Sequence, residues 1–305
     1  MLSDDPLWPR ASAWLEGGAA GESAALAVVG LPTSVGSISP SQAWRTPPAF
    51  REVLARFSPF DGEAGVDLAD LAVADLGDLD LAAADLEGML ATVEAYVAEL
   101  PSGPVYAFVG GDNAVTRAIV GGLAAGDLSS LGVLTFDAHH DVRTLDGGPR
   151  NGTPIRGLVE DGLPGRNVVQ IGIHAFANSA VYRRWCDEHG ISVRTMADVG
   201  EAGVEAVTLA ALADLADRCN RIYVDFDIDV LDRAFAPGCP GSRPGGMTPR
   251  QLAVAARLCG AHPAVAAADF VEVDAAADRD DLTLMSMATT FLAFASGVAA
   301  REVAT

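Results

Sequence analysis

Two short segments of the chain carry acidic side chains and histidine at alternating positions. The first is Asp137–Asp141 (DAHHD), which follows the apolar segment GVLTF, and the second is Asp225–Asp229 (DFDID), which follows RIYV. In an extended chain every second side chain points the same way, so the two aspartates and the first histidine of DAHHD would converge. Carboxylates that cluster without a cation repel one another, whereas carboxylate and imidazole together bind divalent metals. An acidic solvated loop is the alternative interpretation of each cluster alone. The candidate metal ligands in the two clusters are Asp137, His139, Asp141, Asp227 and Asp229.

Two further strand ends carry candidate functional residues. Gly110–Asn113 (GGDN) follows VYAFV, and its paired glycines allow a sharp turn with close backbone approach. Asn113 could offer an amide oxygen to a metal, or it could cap the helix predicted from Ala114. Glu272 is a lone acid in an otherwise apolar strand, and a buried glutamate needs a cationic partner, either a structural one or a substrate.

These segments alternate with helical patterns along the whole chain, which predicts a mainly parallel β-sheet sandwiched by helices. The predicted strands are Ala25–Gly30, Leu71–Leu76, Val105–Gly110, Gly132–Asp137, Asn167–Gly172, Ser192–Arg194, Arg221–Asp227 and Val265–Val273. The predicted helices are Pro48–Arg56, Leu81–Leu100, Ala114–Ala125, Ala177–His189, Val204–Arg218, Pro249–Cys259 and Asp281–Arg301. With no repeat, linker or change of composition, a single domain over residues 1–305 is expected. In such folds ligands bind beyond the carboxyl ends of the strands, where the acidic clusters lie.

Composition narrows the functional classes. The net charge is -21 over 305 residues, so neither nucleic acid nor an anionic membrane is an expected partner. No run of about eighteen apolar residues and no signal-peptide pattern is evident, and the four cysteines show no disulfide-type spacing. A cytoplasmic protein that acts on a small molecule is therefore expected.

The motifs GGDN, DAHHD, DFDID followed by Asp232, APGCPGSRPGGMT and VEVD resemble the ureohydrolase superfamily of arginases, agmatinases and formiminoglutamases. Their order and spacing match from about Gly30 to the end of the chain, and residues 1–24 form a loosely matched extension. The resemblance implies the three-layer arginase-like fold with two divalent metal ions, Mn²⁺ first and Ni²⁺ or Fe²⁺ as alternatives. It implies one metal on Asn113, Asp137, Asp141 and Asp227, and the other on Asp137, His139, Asp227 and Asp229. It also implies a homo-oligomer, a trimer or hexamer.

The resemblance further implies hydrolysis of an amidine or guanidine by water that the metals activate. Asp141 would relay the proton of that water to the leaving amine, and Glu272 would hold the cationic N–C–N group of the substrate. Asp232 would support the ligands from behind without touching a metal. His140 points away from its neighbours in an extended chain and is expected to pack behind the site.

Three residues narrow the substrate. Asn113 and Asn151 stand where the superfamily usually has histidine: Asn113 should be a weaker metal ligand, and Asn151 disfavours arginase and agmatinase activity. Arg143 resembles the arginine of the DAHxDxR motif in the formiminoglutamase branch, where it would receive a substrate carboxylate; a salt bridge is the alternative. Asn151 is interpreted either as a substrate contact or as a turn residue.

N-formimidoyl-L-glutamate, hydrolysed to L-glutamate and formamide in histidine degradation, is therefore the predicted substrate. A guanidino-acid hydrolase or an agmatinase-type enzyme that releases urea is the second hypothesis. A non-catalytic, metal-poor binding protein of the same fold is the third. All three retain the fold: the first two differ in substrate and product, and the third differs from both in metal content.

Overall fold

The computed structural model describes residues 5–18 and 23–303, and its main sheet contains eight strands, all parallel. The strands of the main sheet are β1 (Leu26–Leu31), β4 (Val73–Asp78), β5 (Val105–Gly110), β6 (Leu131–Phe136), β7 (Val168–Ile173), β8 (Ser192–Thr195), β9 (Arg221–Asp227) and β10 (Val265–Val271). A separate two-stranded antiparallel hairpin consists of β2 (Phe60–Asp61) and β3 (Val66–Asp67). The described α-helices are α1 (Ala11–Glu16), α2 (Thr46–Val53), α3 (Leu86–Ala98), α4 (Val115–Ala124), α5 (Pro154–Glu160), α6 (Ala180–His189), α7 (Met196–Ala202), α8 (Val204–Ala216), α9 (Pro249–Ala261) and α10 (Leu282–Val303).

The strand order brings distant parts of the sequence together. Across the sheet the order is β4-β1-β5-β10-β9-β6-β7-β8, so the last two strands of the chain lie between β5 and β6. The carboxyl ends of four adjacent strands therefore meet at one edge: those of β5, β10, β9 and β6. Each of these four ends leads into one of the motifs that the sequence singles out.

Two apolar cores cover the two faces of the sheet, because strand side chains alternate between faces. In β1, Leu26 and Val28 belong to the core that α1, α2, α8, α9 and α10 cover, while Ala27, Val29 and Leu31 belong to the core that α3, α4, α5 and α6 cover. Four of the eight main-sheet strands, β1, β5, β6 and β7, are buried throughout, as expected when helices cover both faces. The result is a three-layer α/β domain.

A row of phenylalanines fixes the register of the strands that end at the site. Phe136, Phe226 and Phe270 are partners across β6, β9 and β10, and neighbouring rings stack with centroids 5.2 Å apart. Phe291 and Phe294 of α10 meet Phe270 edge-on at 5.7 and 5.9 Å. Such aromatic pairs add about 0.5–1.5 kcal/mol each beyond burial of their area. Because the row is aligned, the residues that follow it emerge at the same level.

The predicted parallel α/β architecture is confirmed, with all eight predicted strands in the main sheet. The sequence prediction missed the hairpin and the short helices α1, α5 and α7, whose apolar pattern spans too few turns to be recognised. Helix α9 begins with a capping box formed by Thr248 and Gln251, and Pro249 is in its first turn. Parts of the predicted N-terminal extension, residues 1–4 and 19–22, lie outside the described residues, whereas α1 buries Ala11 and Leu15 against the domain.

Helix α10 is apolar and long enough to cross a membrane by length and composition, which the sequence analysis did not anticipate. Of its most apolar window, 72% is buried inside the fold. The helix packs against α9 and α2 and carries the two phenylalanines that cover the row described above. These contacts are those of a core helix.

Candidate active site

The four strand ends bring the predicted site residues around one cavity. The cavity has a volume of about 330 Å³. Its lining includes the following residues predicted from the sequence: His139, Asp141, Arg143, Asn151, Asp227, Asp229 and Glu272. Asp137 and Asn113 lie directly behind this lining, since they bond to His139 and Asp141 respectively.

Asp137, His139 and Asp229 form a tight cluster. Nδ1 of His139 lies 2.8 Å from Oδ2 of Asp229 and 3.6 Å from Oδ1 of Asp137. Backbone amides hold the carboxylates in place: the amide of Ala138 donates to Asp229, and that of His139 donates to Asp137. In the same way, Asp227 accepts a hydrogen bond of 2.8 Å from the amide of Asp229. The carboxylates are therefore fixed by the turns that follow β6 and β9.

The path of this segment differs from the expected extended one. Asp141 has a φ of 52°, in the left-handed region, so the chain turns sharply after the two histidines. Asp and Asn tolerate this conformation better than most residues. The turn brings Asp141 to the side of Asn113, whose Nδ2 donates to Oδ2 of Asp141 at 2.9 Å. The site side chains of this segment therefore converge because the chain turns at Asp141, and not because side chains alternate along an extended strand.

The shifted pKa values in the cluster indicate that added positive charge would be favourable there. Burial, followed by repulsion from neighbouring aspartates, raises the pKa values of Asp137 and Asp227 well above the usual range and that of Asp141 to about 7. The charge of Asp229 raises the pKa of His139 to about 12, against the opposing effect of burial. Burial also opposes ionisation of Asp229, but the charge and hydrogen bond of His139 outweigh it and lower its pKa to about 2.

Glu272, which follows β10, also lines the cavity. Its Oε1 accepts hydrogen bonds from the backbone amide of Asn113 at 2.7 Å and from Nδ2 of Asn151 at 2.9 Å. Burial, and then repulsion from Asp112, raises the pKa of Glu272 to about 8. Its φ of 67° is unusual for a residue other than glycine, and such strain of about 1–3 kcal/mol persists only where the surroundings enforce it. No cation pairs with Glu272 among the described residues, so the structural ion pair considered from the sequence is absent there.

The side chains of Asn151 and Asn113 both make hydrogen bonds within the site. Asn151 bonds to Glu272 and also accepts from the amide of Ile38 at 3.1 Å, so it connects the glutamate to the loop after β1. The helix-cap interpretation of Asn113 does not fit the structure. The side chain of Asp112 accepts from the amide of Ala114 at the start of α4, while that of Asn113 reaches Thr116 and Asp141.

His140 and Asp232 lie outside the cavity lining. His140 is buried behind the site, where Nδ1 is 2.7 Å from Oε1 of Gln170, as its expected orientation implies. Asp232 accepts from the backbone amides of Ala234 and Gly245. Asp232 therefore holds the glycine-rich loop that follows β9 (residues 236–248). Among the described hydrogen bonds it does not reach a predicted ligand.

The glycine-rich loop closes over Asp229. A Cβ atom on Gly241 would lie 2.2 Å from Oδ2 of Asp229, so glycine is required for this approach. Cys239 in the same loop has its sulfur near the carboxylates of Asp227 and Asp229, and burial raises the pKa of its thiol well above the usual range. The thiol is therefore not a reactive thiolate.

Two arginines lie at the cavity. Arg143 lines it, and its guanidinium has no ion pair among the described residues, so the salt bridge considered from the sequence is not seen there. Arg243 also lines the cavity, with Nη1 donating to the carbonyl of Gly241 at 2.7 Å. The cavity lining also includes Asn178, Ser179 and Tyr182, near the start of α6. The sequence analysis missed these three residues because no motif marks this segment.

The donor set fits divalent metal ions. Four carboxylates and one imidazole surround a region that already favours positive charge, and backbone amides aim them inward. Asp137, His139 and Asp229 place their ligand atoms within 4.8 Å of one another. Hard, oxygen-rich sets of this kind with one imidazole suit Mn²⁺ and related ions.

Known proteins share this arrangement of fold and motifs. A model of the arginase family matches residues 24–296. The chain is 38% identical to a formimidoylglutamase of Halalkalibacterium halodurans, covering 90% of this chain and 88% of the relative. It is also 38% identical to a guanidinopropionase of Pseudomonas aeruginosa, covering 71% and 68% of the two chains.

Structural comparison extends the match over the whole chain. The crystal structure of formimidoylglutamase from Bacillus subtilis superposes with a TM-score of 0.91 at 31% identity, covering 98% of this chain and 94% of that one. Residues 24–296 of the chain, with the four strand ends that surround the cavity, therefore belong to the arginase family.

Proposed function

We propose that the protein is a formimidoylglutamase. It hydrolyses the C–N bond between the formimidoyl carbon and the α-nitrogen of N-formimidoyl-L-glutamate, giving L-glutamate and formamide. The observation that carries the proposal is that one cavity lining presents both a carboxylate and a guanidinium without ion pairs among the described residues. Glu272 supplies a carboxylate for an amidinium, and Arg143 supplies a guanidinium without an ion pair among the described residues for a carboxylate. The likeness to the formimidoylglutamases of H. halodurans and B. subtilis supports the same substrate.

Metal binding is proposed for the acidic cluster. We infer that Asn113, Asp137, Asp141 and Asp227 hold one ion and that Asp137, His139, Asp227 and Asp229 hold the other, with Mn²⁺ as the physiological metal. Bound divalent ions would supply the Lewis acidity that lowers the pKa of water towards neutrality. Because metal ligands must be deprotonated, binding would also release the protons that the crowded carboxylates and His139 retain.

The side chains of the cavity divide the remaining chemistry. Oε1 of Glu272 is fixed by Asn113 and Asn151, which leaves Oε2 to accept a hydrogen bond from the amidinium of the substrate. Positive charge next to Glu272 favours its ionised form, and this offsets the effect of burial on its pKa. The guanidinium of Arg143 receives a substrate carboxylate in a bidentate pair and so orients the reacting carbon.

Proton transfer is assigned to Asp141. Its carboxylate lines the cavity at the edge of the proposed metal pocket, where it can reach both the attacking water and the substrate. It takes the proton of the attacking water and delivers it to the α-nitrogen as the C–N bond breaks. The nitrogen leaves as an amine, and the former formimidoyl carbon leaves as formamide.

A guanidino acid is the second candidate substrate. The guanidinopropionase of P. aeruginosa favours it, because a guanidino acid also pairs a cationic N–C–N group with a carboxylate. Agmatine fits less well, since its free amine would face Arg143. The non-catalytic hypothesis would require a failure to bind metal.

Product identity separates these candidates. Manganese-loaded protein is incubated in parallel with N-formimidoyl-L-glutamate, 4-guanidinobutyrate, 3-guanidinopropionate and agmatine, and glutamate, formamide and urea are measured. The proposal expects glutamate and formamide in equal amounts from the first substrate and at least about tenfold lower kcat/KM for the others. Urea as the main product would contradict the substrate while retaining the fold.

Cellular context is also proposed. We infer a cytoplasmic homo-oligomer, a trimer or hexamer, that acts on its small-molecule substrate without nucleic acid or membrane as partner. The acidic composition supports the absence of polyanionic partners. The four cysteines are all free and buried, which supports a reducing compartment.

A further inference from the structure

A buried polar network lies behind Asn113, on the side away from the cavity. Oγ1 of Thr116, on α4, is 2.6 Å from Oδ1 of Asn113 and also 2.6 Å from Oδ2 of Asp269, in the middle of β10. The hydroxyl of Tyr223 donates to the same oxygen of Asp269. Thr116, Tyr223 and Asp269 are all fully buried. A network at this depth is maintained only where its members satisfy one another.

Oδ2 of Asp269 is the oxygen that both hydroxyls face, those of Tyr223 and Thr116. Asp225 is the cross-strand partner of Asp269, but neither of its carboxyl oxygens has a hydrogen-bond partner among the described residues, so it is not a member of the network. Asp269 therefore acts in the network as an acceptor of hydroxyl protons.

The orientation of the Asn113 amide follows from this network. Thr116 has a single hydroxyl proton, and two neighbouring oxygens compete for it, those of Asn113 and Asp269. When the proton goes to the Asp269 carboxylate, Oγ1 of Thr116 can only accept. If the Asn113 carbonyl oxygen stayed 2.6 Å from Oγ1 of Thr116, two acceptors would face each other. The favourable partner for Oγ1 is then the NH₂ group of Asn113.

The two orientations of the amide differ in what they present to the cavity. With Oδ1 towards Thr116, Nδ2 donates to Asp141, and an amide nitrogen has no lone pair to give a metal. The reverse orientation places Nδ2 against Thr116 and Oδ1 beside Asp141, where it can act as a ligand. We propose that Thr116 and Asp269 are positioning residues: Asp269 takes the hydroxyl proton of Thr116, so that Oγ1 of Thr116 accepts the Asn113 NH₂ group from behind and turns the amide oxygen towards the metal pocket. This inference rests on the proposed metal centre.

The test measures metal binding and not activity. Chelated protein is titrated with Mn²⁺ by calorimetry, first as wild type and then as Thr116→Val, which keeps the shape and removes the hydroxyl. We expect two sites in the wild type and, in the variant, at least tenfold weaker affinity at one of the two. Thr116→Ser should restore the wild-type affinity, and Thr116→Ala provides a second hydroxyl-free variant if valine impairs folding. Thr208→Val is the matched control, because Thr208 is a fully buried threonine on α8, whose hydroxyl has no partner within the described residues.

A second set of variants, in which Asn113 is also replaced, tests the orientation of the amide directly. Asn113→Asp replaces the amide with a carboxylate whose two oxygens are equivalent, so the turn that Thr116 imposes no longer matters. In this background Thr116→Val should change Mn²⁺ affinity by less than about threefold. Unchanged binding of both ions in Thr116→Val and Thr116→Ala would overturn the inference. A wild type that binds fewer than two ions would instead contradict the metal centre of the proposed function.

Discussion

At the scale of single residues, the cavity lining combines several carboxylates with the guanidinium of Arg143, which has no ion pair among the described residues. Asp141 and Glu272, with pKa values raised to about 7 and about 8, are partly protonated without added positive charge, whereas Asp229 stays ionised beside His139. This combination fits a substrate with an amidinium and a carboxylate. Two substitutions separate the role of the guanidinium from that of Glu272.

Replacing Arg143 with alanine is expected to weaken substrate binding more than catalysis. Loss of a charge-assisted hydrogen bond costs about 1.5–3 kcal/mol, so KM for N-formimidoyl-L-glutamate should rise about 10–100-fold. Metal content should stay at the wild-type value, since no predicted ligand contacts the guanidinium. Steady-state kinetics and metal analysis provide the check, with Arg184→Ala, an exposed arginine on α6 outside the cavity lining, as control. Unchanged kinetics in the Arg143 variant would remove the main structural argument for an acidic substrate.

Replacing Glu272 with glutamine preserves shape and removes the charge that would face the amidinium. The expected result is a fall in kcat/KM of at least about a hundredfold, in the range of a lost charge-assisted contact to a reacting group. Thermal stability should not fall, because a buried carboxyl with a pKa of about 8 gives up no favourable charge on conversion to an amide. Kinetics and thermal unfolding together test this, and activity near the wild-type level would exclude Glu272 from substrate binding.

At the scale of elements, the site depends on loops that approach the strand ends closely. The turn after β6 carries Asp137 to Asp141, and the glycine-rich loop after β9 covers Asp229 from the other side. The phenylalanine row holds β6, β9 and β10 in register beneath them. Side chains that would separate the loop from Asp229 should therefore disturb metal binding.

Gly241→Ala tests this approach. The added methyl would lie 2.2 Å from Oδ2 of Asp229, so either the loop or the carboxylate must move. We expect lower Mn²⁺ occupancy after dialysis and about tenfold or greater loss of kcat. Gly200→Ala in α7 is the matched control, since its Cβ would meet nothing within 4 Å and alanine favours a helix. Full metal occupancy in Gly241→Ala would show that the loop does not constrain Asp229.

The secondary-structure elements were also what the sequence predicted best. Most of the eight strands of the sheet were recognisable as short apolar runs, such as VYAFV or GVLTF, and motifs marked the ends of four of them. Short helices such as α5 carry too few turns to show a period. The turn at Asp141 depends on backbone conformation, and the contact between Thr116 on α4 and Asp269 on β10 joins residues 153 apart in sequence, so no local pattern encodes either.

At the scale of the whole molecule, the acidic centre is a source of instability that bound cations would relieve. Ligands that bind only the folded chain stabilise it by about 2.7 kcal/mol at a hundredfold excess over Kd. Chelation should therefore lower Tm by about 5 °C or more.

The thermal stability of the chelated protein should depend on pH in a defined direction. In the folded chain the pKa of Asp141 is raised from 3.8 to about 7 and that of Glu272 from 4.5 to about 8. A carboxyl with a raised folded-state pKa favours the folded chain when protonated, and this contribution is lost as pH rises through that value. The Tm of chelated protein should thus fall between pH 5 and pH 8, as calorimetric scans at constant ionic strength would show. Metal-loaded protein is the control and should change less, whereas a Tm of chelated protein that rises over this range would contradict the account.

The most direct test of the central claim combines metal and chemistry in one titration. Chelated protein receives Mn²⁺ in sub-stoichiometric steps, and formamide release from N-formimidoyl-L-glutamate is measured after each step. The account predicts no turnover without metal and a rate that reaches its plateau at two equivalents of Mn²⁺ per chain. Full activity in the chelated protein, or no formamide at any metal ratio, would contradict it.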